Sequence, residues 1–321
     1  MSKAYVFPGQ GSQSVGMGKA LYENFASARA VFDEVDDALG EKLSTLMFEG
    51  PEAELTLTAN AQPALMAVSL AVIRVLEDET GLDLARDARY VAGHSLGEYS
   101  ALAAAGSLTL RDTARLLRRR GAAMQNAVPV GVGAMAALLG LDYETGLAVT
   151  RQAQEESGHG AVCAVANDNG GGQVVASGTK ASVDRAMEIA KSKGAKRSML
   201  LSVSAPFHCP LMEPAARVMA EALAETIILP PRVPLVANVS AAPVTDPEMI
   251  RSLLVTQVTG TVRWRESILF MAEQGVDLFI ECGSGKVLTG LLKRIAPKVH
   301  GQSIGQLADF EALRVTLRKA S

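Results

Sequence analysis

Apolar residues along this chain come in short runs separated by longer amphipathic stretches, and that alternation predicts its elements. "AYVF" (4–7) is a run ended by Pro8-Gly9, which reads as a buried strand running into a loop. Helical spacing follows at about 18–38 and 63–79, the second with Pro63 near its first turn, where the missing N–H is no loss. "ARYVAG" (88–93) is strand-like again, and two helices follow at about 96–105 and 110–126. Strand, helix, strand, helix in this order implies a mainly parallel sheet covered on both faces.

From about 130 the rhythm tightens. "AMAALLGL" (134–141) reads as a strand, 144–157 as a helix, "AVCAVA" (161–166) and "QVVASG" (173–178) as strands, 180–193 as a helix and "RSMLLSV" (197–203) as a strand. That β-α-β-β-α-β order is the split arrangement of a ferredoxin-like unit. The larger pattern then resumes with helix 211–225, strand "VPLVAN", helices near 247–257 and 263–274, strand "VDLFIE" and helix 286–295. The expected architecture is one large α/β domain built from both ends of the chain, residues 1–128 and 204–321, with a small domain inserted at 129–203.

Composition narrows the class. The chain has 321 residues, 48% of them hydrophobic, enough for one large core or for a core plus a smaller appended domain. A net charge of -3 speaks against a nucleic-acid partner, since phosphate binding shows as a strong basic excess. The N-terminus carries no secretory pattern, and "ALMAVSLAVIRVL" is interrupted by Ser69 and Arg74, so no membrane span and a cytoplasmic location are expected. Cys163, Cys209 and Cys282 are far apart and lack C-x-x-C spacing. They are expected to be small buried hydrophobes, with neither a disulfide framework nor a metal site.

"GHSLG" (93–97) fits G-x-S-x-G between a predicted strand and a predicted helix, the setting of a nucleophile elbow in an α/β-hydrolase-like domain. Glycines flank the serine because so sharp a turn presses neighbouring side chains onto backbone. The turn would lift the Ser95 hydroxyl toward a cleft, and the N–H groups opening the helix at Leu96 favour a developing oxyanion. An ordinary N-cap is the competing reading of Ser95. What takes its proton therefore decides. His94 adjoins Ser95 and should be aimed elsewhere, while His159 lies in "SGHG" and His300 in "KVHG". His208 remains, in the non-periodic "SAPFHCPLM" between a strand and a helix, where α/β sheets keep their chemistry. Cys209 is a rival nucleophile, but neighbours in an extended loop point apart, so His208 cannot readily serve both.

In helix 110–126, Leu110, Ala114, Leu117, Gly121 and Met124 form an apolar stripe, while Arg111, Arg115, Arg118 and Arg119 project away as a solvated face. Arg120 sits at the stripe's edge. A guanidinium turned inward needs a partner, either a buried Asp or Glu or the carboxylate of a substrate. Two glycine signals carry less. "GSGKVL" lacks the spacer and the Ser/Thr of a phosphate loop, and "GVGAMA" leads into a strand where a dinucleotide site needs a helix. "NDNGGGQ" (167–173) reads as a turn of the small domain that brings Asn167 toward the cleft.

"VFPGQGSQ" (6–13), "GHSLGEYSAL" (93–102), "RGAAMQ" (120–125), "SAPFHCPLM" (204–212) and "GKVLTGL" (285–291) occur in this order. Together they make the chain resemble the malonyl-CoA:acyl carrier protein transacylase family nearly end to end. The resemblance implies an acyl-enzyme on Ser95, general-base help from His208, and oxyanion donors on the backbone N–H groups of Gln10 and Leu96. It also implies that Arg120 clamps the malonyl carboxylate, that Gln257 orients His208 through its backbone carbonyl, and that no cofactor is required. Malonyl-CoA and acyl carrier protein are then the expected partners, with Lys191, Lys193, Lys196 and Arg197 as candidates for the basic docking surface. Phe207 resembles the malonyl-selecting form of related domains. Cys282 and Ser284 depart from the family, which often has a small apolar residue and proline there. A serine hydrolase or thioesterase is the alternative enzyme, and a silent carrier-protein scaffold the non-enzymatic one.

Overall fold

The structure, a computed structural model, describes residues 1–310 and 312. Ten strands occur among them: β1 (Lys3–Phe7), β2 (Tyr90–Gly93), β3 (Gly133–Leu139), β4 (Cys163–Asp168), β5 (Gln173–Thr179), β6 (Arg197–Leu200), β7 (Leu235–Val236), β8 (Pro243–Val244), β9 (Leu278–Cys282) and β10 (His300–Ile304). They form a six-stranded sheet in the order β10-β9-β1-β2-β7-β8 and a four-stranded sheet in the order β4-β5-β3-β6. The first is parallel except for the β7–β8 pair. The second is antiparallel throughout.

Central strands of the large sheet are apolar on both sides because both faces are covered. Tyr5 and Phe7 of β1 pack into the core formed with helices Ala26–Leu39, Thr58–Thr80 and Leu110–Asn126. Ala4 and Val6, on the opposite face, join Trp264, Ile268, Leu288 and Leu291. A third core, around Leu138, Val149, Ala176, Val183 and Ile189, lies between the small sheet and its helices Tyr143–Glu156 and Lys180–Ser192. The end of β4 bonds the loop between helices Pro247–Thr259 and Trp264–Glu273. Asp168 N–H donates to Val262 O at 3.0 Å, and the buried Asp168 carboxylate pairs with Arg265 at 2.8 Å.

Several boundaries differ from the sequence expectation. The helix expected at 18–38 breaks at Phe25, whose extended backbone (φ -127) separates Lys19–Asn24 from Ala26–Leu39 while its ring packs on Phe310. Pro63 lies inside a helix that starts at Thr58. The polar opening "TANAQ" hid that start, and tertiary packing fixes it: a Cβ on Gly121 would sit 2.5 Å from Thr58 O, so the two helices cross in backbone contact there. That helix is long and apolar enough to cross a membrane by length and composition, yet 83% of its most apolar window is buried inside the protein. Helices Leu43–Glu49 and Glu52–Thr56 and strands β8 and β10 were not anticipated. β10 reads "HGQSI", an edge strand with no apolar run to announce it.

Candidate active site

β2 ends at Gly93, Ser95 takes a left-handed backbone (φ 53), and helix Gly97–Ala104 begins two residues later. Both glycines are required sterically. A Cβ on Gly93 would meet Gly97 O at 1.8 Å, and one on Gly97 would meet Phe7 O at 2.3 Å. The Asn238 side chain, just beyond β7, ties the elbow: its Oδ1 accepts from Ser95 N–H at 2.8 Å and its Nδ2 donates to Gly93 O at 2.7 Å. A left-handed serine fixed by two hydrogen bonds is not an N-cap. Its side chain points into a cavity of about 290 Å³ lined by Gln10, Met124, Asn167, Phe207 and His208 among others.

His208 Nε2 is 2.7 Å from Ser95 Oγ, and His208 Nδ1 is 2.8 Å from the backbone carbonyl of Gln257. A carbonyl can only accept, so the ring proton sits on Nδ1 and Nε2 is left bare to take the serine proton. His208 is itself left-handed (φ 57) and buried. Burial, with the nearby Arg120 charge second, pushes its pKa down to about 3, so the ring is neutral at any working pH. The other histidines are not bonded to the Ser95 hydroxyl, although His94 lines the same cavity. His94 Nε2 donates to Asn169 Oδ1 at 2.9 Å, His159 lies in an exposed loop, and exposed His300 starts β10 at the sheet's far edge.

Arg120 is 0% exposed, and among the described residues no carboxylate lies within salt-bridge distance of it. Its guanidinium donates to Gln62 Oε1 at 2.8 Å, Gln257 Oε1 at 2.8 Å and Ser95 Oγ at 3.2 Å, and lies 5.6 Å over the Tyr99 ring. Among the described residues its Nε finds no partner. Of the two partners considered for an inward arginine, the internal Asp or Glu is therefore not in contact. Arg118, expected on the solvated face, is half-buried against Asn60 and Glu41.

Among the described residues, the N–H groups of Gln10 and Leu96 carry no hydrogen bond within the protein. The Gln10 side chain donates to Thr58 Oγ1 at 3.2 Å, and Thr58 Oγ1 is 2.9 Å from Ser204 Oγ in the loop that carries His208. The Cys209 thiol turns to Pro206 O at 3.1 Å, and burial pushes its pKa up, which disarms it as a nucleophile. All three cysteines are buried. Sequence reasoning missed Asn238, Gln62, Thr58 and Glu98. Asn238 alone had a signal, as a polar residue closing the apolar run "VPLVA".

The protein-family profile described as acyl transferase domain matches residues 4–308. The chain belongs to the acyl transferase family. Within that family it is 46% identical over 320 residues to the malonyl CoA-acyl carrier protein transacylase of Bacillus subtilis (strain 168), spanning 99% of this chain and 98% of that protein. The crystal structure of an acyl-carrier-protein S-malonyltransferase from Bartonella henselae superposes with a TM-score of 0.94 at 58% identity, covering 98% of this acyl transferase and 99% of that chain. A malonyl-transacylase in complex with its type II PKS acyl-carrier protein superposes at 0.92, with 41% identity over 97% of this chain and 98% of that one.

Proposed function

We propose that this acyl transferase moves a malonyl group from malonyl-CoA to the phosphopantetheine thiol of acyl carrier protein through a malonyl ester on Ser95, supplying fatty acid synthesis. One observation carries the choice of acyl group. A buried guanidinium with no carboxylate of its own stands 3.2 Å from the nucleophile. An acyl group whose carboxylate is one methylene from the reacting carbonyl supplies the direct anionic partner that Arg120 lacks, and a fork meeting a carboxylate is strong and directional.

Ser95 Oγ attacks the thioester carbonyl as His208 Nε2 takes its proton, and the N–H groups of Gln10 and Leu96 hold the resulting oxyanion. Collapse expels the CoA thiolate, which receives the proton from His208, and leaves the malonyl ester. The carrier thiol then gives its proton to His208 and attacks that ester; the proton returns to Ser95 Oγ. Gln257 offers His208 a neutral carbonyl, which orients the ring but stabilises imidazolium less than a carboxylate would. That suffices where a thiol leaves. Transfers between thiol and hydroxyl groups call for neither metal nor redox cofactor.

The order β4-β5-β3-β6 supports a ferredoxin-like small domain at 129–203 inserted into an α/β-hydrolase-like domain of residues 1–128 and 204–321. Of the last segment, residues 311 and 313–321 lie outside the described residues. Lys191, Lys193, Lys196 and Arg197 are all exposed on the small domain, which favours them for docking an acidic carrier protein. Its proposed place in fatty acid synthesis favours a cytoplasmic enzyme, and the apolar helix Thr58–Thr80 is buried in the core.

Intact-protein mass after mixing with malonyl-CoA alone tests the reading. One malonyl adduct is expected on the peptide carrying Ser95, discharged far faster by carrier-protein thiol than by water. Unmodified protein would point to a scaffold, and steady release of malonate to a hydrolase.

A further inference from the structure

Glu98 lies one turn beyond Ser95 on helix Gly97–Ala104 and is 1% exposed. A carboxylate so placed needs partners. Its Oε2 accepts from Gln257 Nε2 at 2.8 Å and from Asn238 N–H at 3.1 Å. Gln257 passes the contact on, since its Oε1 accepts from Arg120 Nη2 at 2.8 Å while Nε2 also donates to Ser95 O at 2.9 Å. One amide plane thus separates a buried anion from a buried cation. Turning that amide over would set its oxygen against the Glu98 carboxylate and its N–H groups against the guanidinium. Glu98 therefore holds Gln257 in the orientation Arg120 requires.

The charged and titratable groups that face Glu98 are Arg120, from helix Leu110–Asn126, and Tyr99, from its own helix; Asn238 and Gln257 complete its surroundings. Without acyl group, one cation and one carboxylate balance across Gln257. When a malonyl carboxylate reaches Arg120, two carboxylates share one guanidinium in a site that disfavours uncompensated charge. The anion without direct contact is then the one most readily neutralised. Resting on Arg120 as the malonyl partner, we propose that Glu98 is the exchangeable counterion of Arg120, taking up one solvent proton when a carboxylated acyl group binds and releasing it when that group leaves. The proton adds to a carboxylate oxygen and no other bond changes. Burial already pushes the Glu98 carboxyl up to about 7, so the arriving charge acts on a group poised near neutrality.

Above neutrality this coupling makes malonyl binding weaken with pH, by about tenfold per unit, while acetyl binding stays flat. Calorimetry of Ser95→Ala enzyme at pH 8, in two buffers of different ionisation enthalpy, reads the proton count directly. Malonyl-CoA should take up about one proton more than acetyl-CoA, the shared CoA moiety cancelling. Glu98→Gln, whose amide oxygen can still accept from Gln257 and Asn238, should abolish that difference and tighten malonyl-CoA binding at pH 8 by about tenfold. Equal proton counts with malonyl still preferred would overturn the counterion role. Loss of the malonyl preference itself, in enzyme retaining Glu98, would instead overturn the assignment of Arg120. Should Glu98→Gln fail to fold, the count on Glu98-containing enzyme decides alone.

Discussion

Replacing Arg120 with alanine separates two thioesters that differ by one carboxylate. In the parent, the guanidinium is fully buried and held by two glutamine oxygens and Ser95 Oγ, so its position is set before substrate arrives. On the proposed reading, malonyl then gains a preorganised, charge-assisted contact to a guanidinium shielded from water. Truncating one partner of a buried charge pair loses on the order of 2 to 4 kcal/mol. At about 1.4 kcal/mol per decade this is roughly a 30- to 700-fold fall in kcat/KM for malonyl-CoA. Acetyl-CoA has no carboxylate to lose. Removing the cation also withdraws a donor from Ser95 Oγ and the largest of the charges that depress the His208 base, so acetyl transfer should hold or rise. Lysine at position 120 should rescue malonyl transfer only in part, because a point charge cannot span two oxygens. Steady-state kinetics with both thioesters, paired with thermal melts, makes the comparison. A folded mutant losing equally on both would show that Arg120 serves the frame of the site, and the malonyl assignment would lose its structural basis.

His208→Ala should slow acylation of Ser95 roughly a hundredfold or more, as read by stopped-flow loss of malonyl-CoA; activity within a few-fold would move the base elsewhere. Glu98 is raised from its ordinary value to about 7 in the folded protein, so it contributes no penalty below about pH 4.5, where both states are protonated, and destabilises increasingly as pH rises toward 7. Glu98→Gln should therefore flatten the decline of Tm between pH 4.5 and 7, relieving about 3 kcal/mol at the upper end; an unchanged slope would refute it.

What the sequence made legible tracks how local each signal was. The elbow was readable because strand, glycine, serine, glycine and helix lie within a dozen residues and each has a steric reason. The apolar runs of the central strands and the β-α-β-β-α-β order between residues 134 and 203 were equally local, and both sheets follow them. Arg120 could be placed at the edge of a buried stripe, but its lack of an acidic neighbour depends on Thr58–Thr80 and Pro247–Thr259, helices distant in sequence. Asn238, Thr58 and Glu98 act through hydrogen bonds spanning 140 residues or more, and no periodicity encodes such a contact. β10 was hidden for the opposite reason: an edge strand meets water and needs no apolar run.

Ser95 and His208 both hold left-handed backbones, a conformation that costs a non-glycine residue on the order of 1 kcal/mol or more and persists only where surroundings over-determine it. Two amide side chains supply much of that constraint. Asn238 grips the elbow on both sides of Ser95, while Gln257 bonds the Ser95 carbonyl through its side chain and His208 through its own carbonyl. The same Gln257 amide receives Arg120 and reaches Glu98, so nucleophile, base, cation and anion meet on one residue. A change of charge at Arg120 is therefore felt at the base and at the buried carboxylate without any element moving. On the proposed role of Arg120, selectivity for a carboxylated acyl group follows from electrostatics in a fixed frame, and it should survive in the rigid protein at low temperature, where a mechanism requiring closure of the two sheets would fade.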